Sequence, residues 1–175
     1  MPHTIRTERL LLRRPVPRDA RAAARVLNDW AVVKETESWG YPVSEARTRW
    51  RFAQHAARPQ TEDAFFVMVA GGAFIGTIGL HRRRGRTFGL GYMIGRAYWG
   101  RGYVSEAARA VCRFGFDVME AEVIEADVFQ DNAASARVLL KCGFRQVADP
   151  GPGWSATRGG NFPRHAFELT RTDLP

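Results

Sequence analysis

Three strand-like segments joined by tight turns constrain the fold of this chain more than any other feature of its sequence. They cover residues 64–70, 74–80 and 87–94, and each contains β-branched or aromatic side chains. A glycine pair at 71–72 separates the first two, and the basic segment 81–86, typical of a solvated hairpin tip, separates the last two. This pattern predicts an antiparallel meander, in which glycines within the strands mark bulges or places of close approach to the backbone.

The apolar period changes from two to about 3.6 after residue 102, which predicts a helix from there to about residue 118. Short apolar runs, capping residues and proline or glycine stops indicate further elements on both sides. The predicted strands are residues 9–13, 122–129, 144–148 and 164–169, and the predicted helices are 19–28 with Asp19 as N-cap, 44–54 with Ser44 as cap and Trp50 and Phe52 as buried residues, and 132–141 with Gly143 as C-terminal cap. The order predicts one domain over residues 1–175 with a mixed α/β fold, a mostly antiparallel central sheet flanked by helices.

The loop Trp99-Gly100-Arg101-Gly102-Tyr103 lies between a predicted strand and a predicted helix, which makes it a candidate anion site. A helix N-terminus presents free backbone N–H groups and the positive end of the helix dipole. The two glycines let the backbone approach a bulky phosphate, and Arg101 adds a positive charge. The loop has neither the Gly-Lys-Ser/Thr of a P-loop nor the third glycine of a dinucleotide fingerprint. Taken alone, it could therefore also be an ordinary strand-to-helix turn.

A second motif lies about 30 residues further on and is considered together with this loop. Asn132 and Ser135 open a predicted helix that ends in Gly143-Phe144. Together with residues 98–107 and the opening segment TERLLLR at 7–13, this motif resembles the GNAT superfamily of N-acetyltransferases. Within that superfamily the chain is similar to the branch of bacterial ribosomal-protein N-terminal acetyltransferases, whose phosphate loop typically reads YWGKGYA followed by TEA.

The resemblance implies that acetyl-CoA binds along these motifs as a cosubstrate. The end of a strand at Met93 and Ile94 would lie alongside the pantetheine arm, with a backbone N–H near the thioester oxygen. Asn132 would hydrogen-bond the arm, and Arg137 could reach a phosphate. The cofactor-binding loop comprises Trp99, Gly100, Arg101, Gly102, Tyr103 and Val104, and the backbone of the last four would hold the pyrophosphate.

Two departures from the family pattern bear on the chemistry. Val104 stands where relatives have alanine or glycine, and Leu139 stands where many relatives have a tyrosine that protonates the departing thiolate. The resemblance to the serine-bearing branch implies Ser135 as the substitute donor, although Asn132 and Ser135 could both simply cap the helix. Glu106 follows the phosphate loop and is a candidate for a catalytic role, with stabilisation of the helix N-terminus as the alternative.

The general base is left open by the sequence. An amine must lose its proton to attack a thioester, and the charge that develops on the carbonyl oxygen must be stabilised. Glu35, Glu37 and His81 are candidates for the base, and a water chain is another. By resemblance, the acetyl group is transferred directly, without an acyl-enzyme.

Composition limits what the protein binds. The net charge of +8 and the sequence pI near 10.4 favour an anionic partner, which a phosphate-bearing cofactor satisfies as well as nucleic acid would. Cys112 and Cys142 lie among apolar neighbours and are expected to be buried and unreactive, and no Cys/His cluster indicates a metal. Without a membrane-length apolar run or a signal-peptide pattern, the chain is expected to be soluble and cytoplasmic.

The sequence thus predicts an acetyl-CoA-dependent N-acetyltransferase that acts on a primary amine, either a protein N-terminus or a small molecule such as an amino acid, a polyamine or a drug. The alternative is a noncatalytic CoA-binding or RNA-binding module on the same scaffold. Membrane and nucleic-acid partners are not expected, although the basic segment 81–86 could contact an acidic protein or ribosomal RNA. The resemblance also implies a homodimer. The acceptor pocket is expected from the helices before residue 64 and from the Gly- and Pro-rich loop 149–161.

Overall fold

The computed structural model describes residues 3–175, and within them the chain forms ten strands and five α-helices. The strands are β1 Ile5–Arg6, β2 Leu10–Arg13, β3 Asp63–Ala70, β4 Ala73–Arg84, β5 Thr87–Ile94, β6 Val123–Phe129, β7 Arg145–Val147, β8 Gly153–Ser155, β9 Gly160–Phe162 and β10 Arg164–Thr170. The helices are α1 Asp19–Val26, α2 Trp30–Val33, α3 Glu45–Ala57, α4 Tyr103–Asp117 and α5 Ala133–Lys141, with single-turn helices at Arg96–Tyr98 and Arg171–Asp173.

Eight of the strands form one sheet in the order β1-β2-β3-β4-β5-β6-β10-β7. Neighbouring strands are antiparallel except β5 and β6, which run parallel. The remaining strands, β8 and β9, form a separate hairpin. The predicted mixed α/β fold with a mostly antiparallel central sheet is therefore confirmed.

Strands β5 and β6 separate after a short paired stretch. Their register joins only Thr87–Gly89 to Val123–Glu125, although β5 continues to Ile94 and β6 to Phe129. Beyond the paired stretch the sheet opens as a V between the two strands. Helix α4 follows β5 and helix α5 follows β6, so the N-termini of both helices lie at this opening.

The two faces of the sheet carry separate apolar cores. On one face, α4 and α5 pack over a core that contains Phe88 and Ile124. On the other face, Leu27 at the end of α1 and Phe52 of α3 pack into a core that includes Met93 of β5. Since alternate residues of a strand face opposite sides, β5 belongs to both cores and separates them.

The basic segment between β4 and β5 is the exposed tip of a hairpin, as predicted, but it is mostly strand and not a loop. Strand β4 continues through Arg84, and the turn is confined to Gly85 and Arg86. Arg83 and Arg84 both form ion pairs with Glu125 of β6, at 3.0 Å for Arg83. Their charges are thus compensated by a strand that lies beyond β5, which the local sequence does not reveal.

Helix ends and faces confirm some predictions and correct others. Ser44 Oγ accepts a hydrogen bond from the Arg47 N–H at 3.1 Å, as predicted for an N-cap. Asp19 instead begins α1, and its carboxylate is bound by Arg13 at 2.7 Å. Phe52 is buried as predicted, whereas Trp50 is 63% exposed, because residues two apart lie on different sides of a helix.

The segment predicted as a long loop contains the β8–β9 hairpin, and the short helix α2 was not predicted either. The Ala156 N–H donates to Glu37 O at 3.0 Å, and Thr157 Oγ1 donates to Trp39 O at 2.8 Å. The hairpin is therefore held in part by hydrogen bonds to the segment after α2, which is far away in the sequence.

The two cysteines have the structural role that the sequence indicated. Cys112 and Cys142 are free thiols and both are buried. Burial raises the pKa of each thiol, so both stay protonated at neutral pH.

Candidate active site

A cleft of about 980 Å³ follows the V-shaped opening in the sheet. One end, called the loop end here, is lined by the loop before α4 and by the first turns of α4 and α5. The other, called the helix end, is lined by α2, α3 and residues 34–39. The two ends meet at the second half of β5, and the volume lies in the upper part of the range of small-molecule sites.

Backbone groups of β5 face the opening at every second residue. The Gly95 N–H donates to Ile75 O on β4 at 2.9 Å, so the backbone groups of Gly95 and, by alternation, of Met93 point to β4. Tyr92 and Ile94 therefore turn their N–H groups to the opening. Of the two residues predicted to line the cofactor here, Ile94 offers a backbone donor, whereas Met93 does not.

Two glycines in left-handed conformation shape the loop between β5 and α4. Gly100 has a φ of 73°, and Gly102, the N-cap of α4, has a φ of 77°. Residues with a Cβ rarely adopt such values. The first N–H groups of α4, beginning with Tyr103 and Val104, have no acceptor within the helix and lie at the loop end of the cleft. The loop thus has the geometry of the predicted anion site.

Side chains hold this loop from two directions. Trp99 Nε1 donates to Ile94 O at 3.0 Å, which fastens the loop to the end of β5. On the other side, Arg9 Nη1 donates to Arg101 O at 2.8 Å. Trp99 therefore shapes the loop before α4 through the backbone carbonyl of Ile94.

Glu106 lies in the first turn of α4 and does not line the cleft. Its carboxylate accepts hydrogen bonds from Thr7 Oγ1 at 2.5 Å, from the Arg9 N–H at 2.8 Å and from Arg9 Nε at 2.7 Å. Burial alone would raise the pKa of Glu106, but these bonds hold it below its usual value. The geometry favours the structural alternative for Glu106 over the catalytic role, because its carboxylate is engaged by the turn between β1 and β2.

The N-terminus of α5 brings Asn132, Ser135 and Tyr92 together. Asn132 Oδ1 accepts from the Ser135 N–H at 3.1 Å, so Asn132 caps the helix and keeps its Nδ2 as a donor for a ligand. Ser135 Oγ does not cap the helix but lies 2.6 Å from Tyr92 Oη. Burial raises the pKa of Tyr92, so its hydroxyl keeps its proton at neutral pH.

Two cations at the loop end have no acidic partner within residues 3–175. Arg137 and Lys141 are one helical turn apart on α5, and both line the cleft. Arg137 is exposed, so its guanidinium can reach a ligand at the N-terminus of α4. These charges suit a ligand that carries several phosphate groups.

At the helix end, every carboxylate that lines the cleft is paired with a cation. The pairs are Glu35 with Lys34 and Arg158, Glu37 with Arg164, Asp63 with His55 and Arg58, and Asp127 with Arg83 and Arg164. For Asp63, burial alone would raise the pKa, but the bonds from His55 and Arg58 hold it below its usual value. This end of the cleft therefore offers no unpaired carboxylate.

Glycines of β4 and β5 form the floor of the helix end. Gly79 pairs with Gly91, and His81 pairs with Gly89. The His81 ring packs directly on Gly89, since a Cβ there would lie 2.6 Å from its Cε1. The His81 side chain is exposed at the cleft, but the packing of its ring edge against Gly89 removes water from that side. This desolvation, with Arg83 beside it, lowers the pKa of His81. His81 is thus a neutral imidazole that opens to the cleft, and it forms no side-chain hydrogen bond within residues 3–175.

Arg158 joins the β8–β9 hairpin to both sides of the cleft. Its guanidinium pairs with Asp131 at 2.8 Å and with Glu35 at 3.1 Å. It also lies 4.8 Å from the ring centroids of both Phe129 and Phe162. Only 9% of the Arg158 side chain is exposed, so the hairpin is anchored by a nearly buried ion pair.

Sequence reasoning did not identify Tyr92 or Arg158. Tyr92 had a local signal, because it alternates with Leu90 and Ile94 in the strand that leads to the phosphate loop. Arg158 had none, since its partners come from segments far away in the sequence.

Comparison with known proteins points to one family. Residues 9–145 match the family described as acetyltransferase (GNAT) domain. The uncharacterized N-acetyltransferase p20 of Bacillus licheniformis is 30% identical over 148 residues, which cover 82% of this chain and 83% of that protein.

Solved structures agree in fold. RimJ of Mycobacterium smegmatis in complex with CoA-disulfide has a TM-score of 0.86 at 23% identity and covers 99% of this chain and 90% of its own. RimL, a ribosomal L7/L12 alpha-N-protein acetyltransferase in complex with coenzyme A, has a TM-score of 0.85 at 16% identity and covers 96% of this chain and 98% of its own. At these identities the likeness is one of fold.

The chain therefore belongs to the GNAT family, and it is an acetyl-CoA-dependent N-acetyltransferase, as predicted. The loop end fits acetyl-CoA, because a helix N-terminus and two unpaired cations lie beside backbone donors of β5. No group of three or more His, Cys, Asp or Glu side chains in residues 3–175 could hold a metal ion. None of the helices in that range is long and apolar enough to cross a membrane.

Proposed function

We propose that the protein transfers the acetyl group of acetyl-CoA directly to a primary amine, with acetyl-CoA at the loop end and the amine at the helix end. The observation that carries this proposal is the Ser135 hydroxyl, which Tyr92 holds beside the opening where the two ends meet. Both ends open on β5, so the two substrates can be bound together, as direct transfer requires.

The pyrophosphate of acetyl-CoA would bind at the N-terminus of α4, where the glycine loop leaves room for it. Its contacts would come from the backbone of Arg101, Gly102, Tyr103 and Val104, with Gly100 shaping the loop. Arg137 and Lys141 would neutralise phosphate charge. Asn132 Nδ2 and the N–H groups of β5 that face the opening would bind the amides of the pantetheine arm.

The reacting end of the cosubstrate would lie between β5 and Ser135. Acetyl-CoA supplies an acetyl thioester, whose sulfur leaves as a thiolate. The Tyr92 and Ile94 N–H groups would stabilise charge on the carbonyl oxygen. The Ser135 hydroxyl would donate to the sulfur, and Tyr92 would donate to Ser135 Oγ, which leaves the serine proton for that bond. A free thiol has a pKa of about 8.5, so a hydrogen bond is sufficient.

His81 is the candidate that best suits the general base. Glu35 and Glu37 are engaged by Arg158 and Arg164, so protonating either one would disrupt an ion pair. The lowered pKa of His81 keeps its ring neutral near pH 7, and the ring opens to the cleft. It would accept a proton from the acceptor ammonium, directly or through one water molecule.

A protein N-terminus and a small amine are both candidate acceptors. RimL acts on the protein L7/L12, and the likeness of fold makes an N-terminal acceptor the first to test. The homodimer, contact with the ribosome and a cytoplasmic location stay predictions.

The test is to follow release of free thiol from acetyl-CoA over a panel of amines and N-terminal peptides. We expect turnover with at least one acceptor. As a control, the variant Tyr41→Phe should leave the rate unchanged, because Tyr41 is 48% exposed and does not line the cleft. Tight CoA binding without turnover on any acceptor would instead favour the noncatalytic module.

A further inference from the structure

Arg51 of α3 is the one charged side chain at the helix end without an oppositely charged partner in residues 3–175. It lines the cleft between Trp39 and His55. The other lysine and arginine side chains that line this end all form ion pairs, and they are Lys34, Arg58, Arg83 and Arg164. An unpaired guanidinium in a cleft is a candidate for contact with a ligand.

Arg51 is fixed in position but not neutralised. Nη1 donates to Ser38 O and Nη2 donates to Ser38 Oγ, both at 2.9 Å. The guanidinium lies 4.5 Å from the centroid of the Trp39 ring. Nε is buried and has no hydrogen-bond partner within the described residues. The planar group is thus pre-oriented and keeps N–H donors that could bind a carboxylate.

The electrostatics at Arg51 also favour an anion. Burial lowers the pKa of Arg51, and the neighbouring Arg47 acts in the same direction. A partly buried cation without a counter-charge is unfavourable, and a bound anion would relieve that cost. An additional positive charge on the acceptor, in contrast, would find only carboxylates that are already paired.

The position of Arg51 connects it to the floor of the helix end. His55 lies one helical turn further along α3, and its ring stacks on Phe65 with centroids 4.1 Å apart. Phe65 pairs with Gly79, which is part of the glycine floor that also carries His81. An acceptor that extends from His81 along this floor would pass the α3 face that carries His55 and Arg51.

We propose that Arg51 binds a carboxylate of the acceptor, so that the acceptor is an amine with a carboxylate close by and not a polyamine or another cationic amine. This inference rests on the proposed function and names the acceptor class for it. The carboxylate is either the α-carboxylate of a free amino acid or an acidic side chain near a protein N-terminus, and the two sources share the same chemistry.

The experiment compares acceptors that differ only in this charge. Free amino acids are compared with their α-amides, and short peptides with glutamate at the second position are compared with peptides that have glutamine there. Turnover is measured as thiol release, and acceptor binding to the CoA-loaded protein is measured by calorimetry, which does not depend on turnover. We expect a preference of about 10- to 100-fold for the carboxylate in one kind of pair, and that pair identifies the source.

Variants of α3 test whether Arg51 causes the preference for a carboxylate. Arg51→Gln should abolish the preference. Arg51→Lys keeps the charge but loses the planar guanidinium with its paired donors, and it should retain part of the preference. Arg49→Gln removes the same charge from the same helix, outside the cleft, and should retain all of it. CoA affinity, which depends on the loop end, shows that each variant is folded.

Two results would overturn the assignment: equal turnover and binding for both members of every pair, or a carboxylate preference that survives in Arg51→Gln. A carboxylate preference in binding with no turnover would count against the transfer reaction and leave the role of Arg51 supported.

Discussion

The loop end of the cleft presents mostly backbone N–H groups, whereas the helix end presents charged side chains from residues 34–37, α3 and four strands. Backbone donors are the same for every residue type, so the loop end depends on local conformation, above all on Gly100 and Gly102. The helix end depends on side chains that must be held relative to one another, such as Glu35 with Arg158. In the proposed arrangement, the cofactor is therefore recognised by a backbone shape that few residues fix, and the acceptor by a network of side chains that many residues share.

Replacing His81 by glutamine tests the helix end, and of the variants proposed here it should have the largest effect on kcat. We expect kcat to fall by about 100-fold, because glutamine cannot accept the proton from the ammonium. Since the pKa of His81 is lowered, the wild-type rate should fall only below about pH 6.5, as the ring becomes protonated. The variant should lose this acidic limb of the pH profile. His165→Gln, outside the cleft, is the control, and an unchanged limb in His81→Gln would exclude His81 as the base.

Ser135→Ala tests the group that joins the two ends. We expect kcat to fall by about 30-fold with little change in CoA affinity, since the serine acts on the leaving sulfur. Tyr92→Phe should lower kcat by about tenfold, and the double variant should be no slower than Ser135→Ala, because Tyr92 acts through the serine. Steady-state kinetics and calorimetry measure both quantities. Fully additive losses would show that Tyr92 acts independently of Ser135.

Gly102→Val tests the loop end. Valine is strained at a φ of 77°, so the loop should shift and CoA should bind about tenfold more weakly by calorimetry. Gly85→Val carries similar strain at the turn after β4, where φ is 48°, and should leave CoA affinity unchanged. If Gly102→Val binds CoA as tightly as the wild type, backbone conformation is not what recognises the phosphates.

Glu106→Gln should have the smallest effect on turnover. We expect the free energy of unfolding to fall by about 1–2 kcal/mol, because a charged acceptor of three hydrogen bonds is lost, while kcat changes by less than about threefold. The pKa of Glu106 is lowered in the folded state, so its stabilisation is present above about pH 4.3 and is lost as the pH falls further. Denaturant unfolding measures the change in the free energy of unfolding, and steady-state kinetics measure kcat. A large loss of kcat would support a catalytic role for Glu106 instead.

Much of the fold follows from residues that are near each other in the sequence. The meander, the helix after Gly102 and the cap at Ser44 were all predicted from local patterns. The β8–β9 hairpin was not, because it is fastened to Glu37 and Trp39, more than 100 residues away. Likewise, Arg83 and Arg84 resembled a solvated turn until Glu125 was placed beside them.

The sequence by itself determined the family, the cosubstrate and the glycine loop before α4, because glycine conformation and a helix N-terminus are properties of consecutive residues. Only the tertiary structure decided that Ser135 meets Tyr92, that Glu106 braces the N-terminal strands and that Arg51 is left unpaired. These facts depend on side chains brought together from separate segments, and the balance of charge among them exists only once the sheet and its helices have packed.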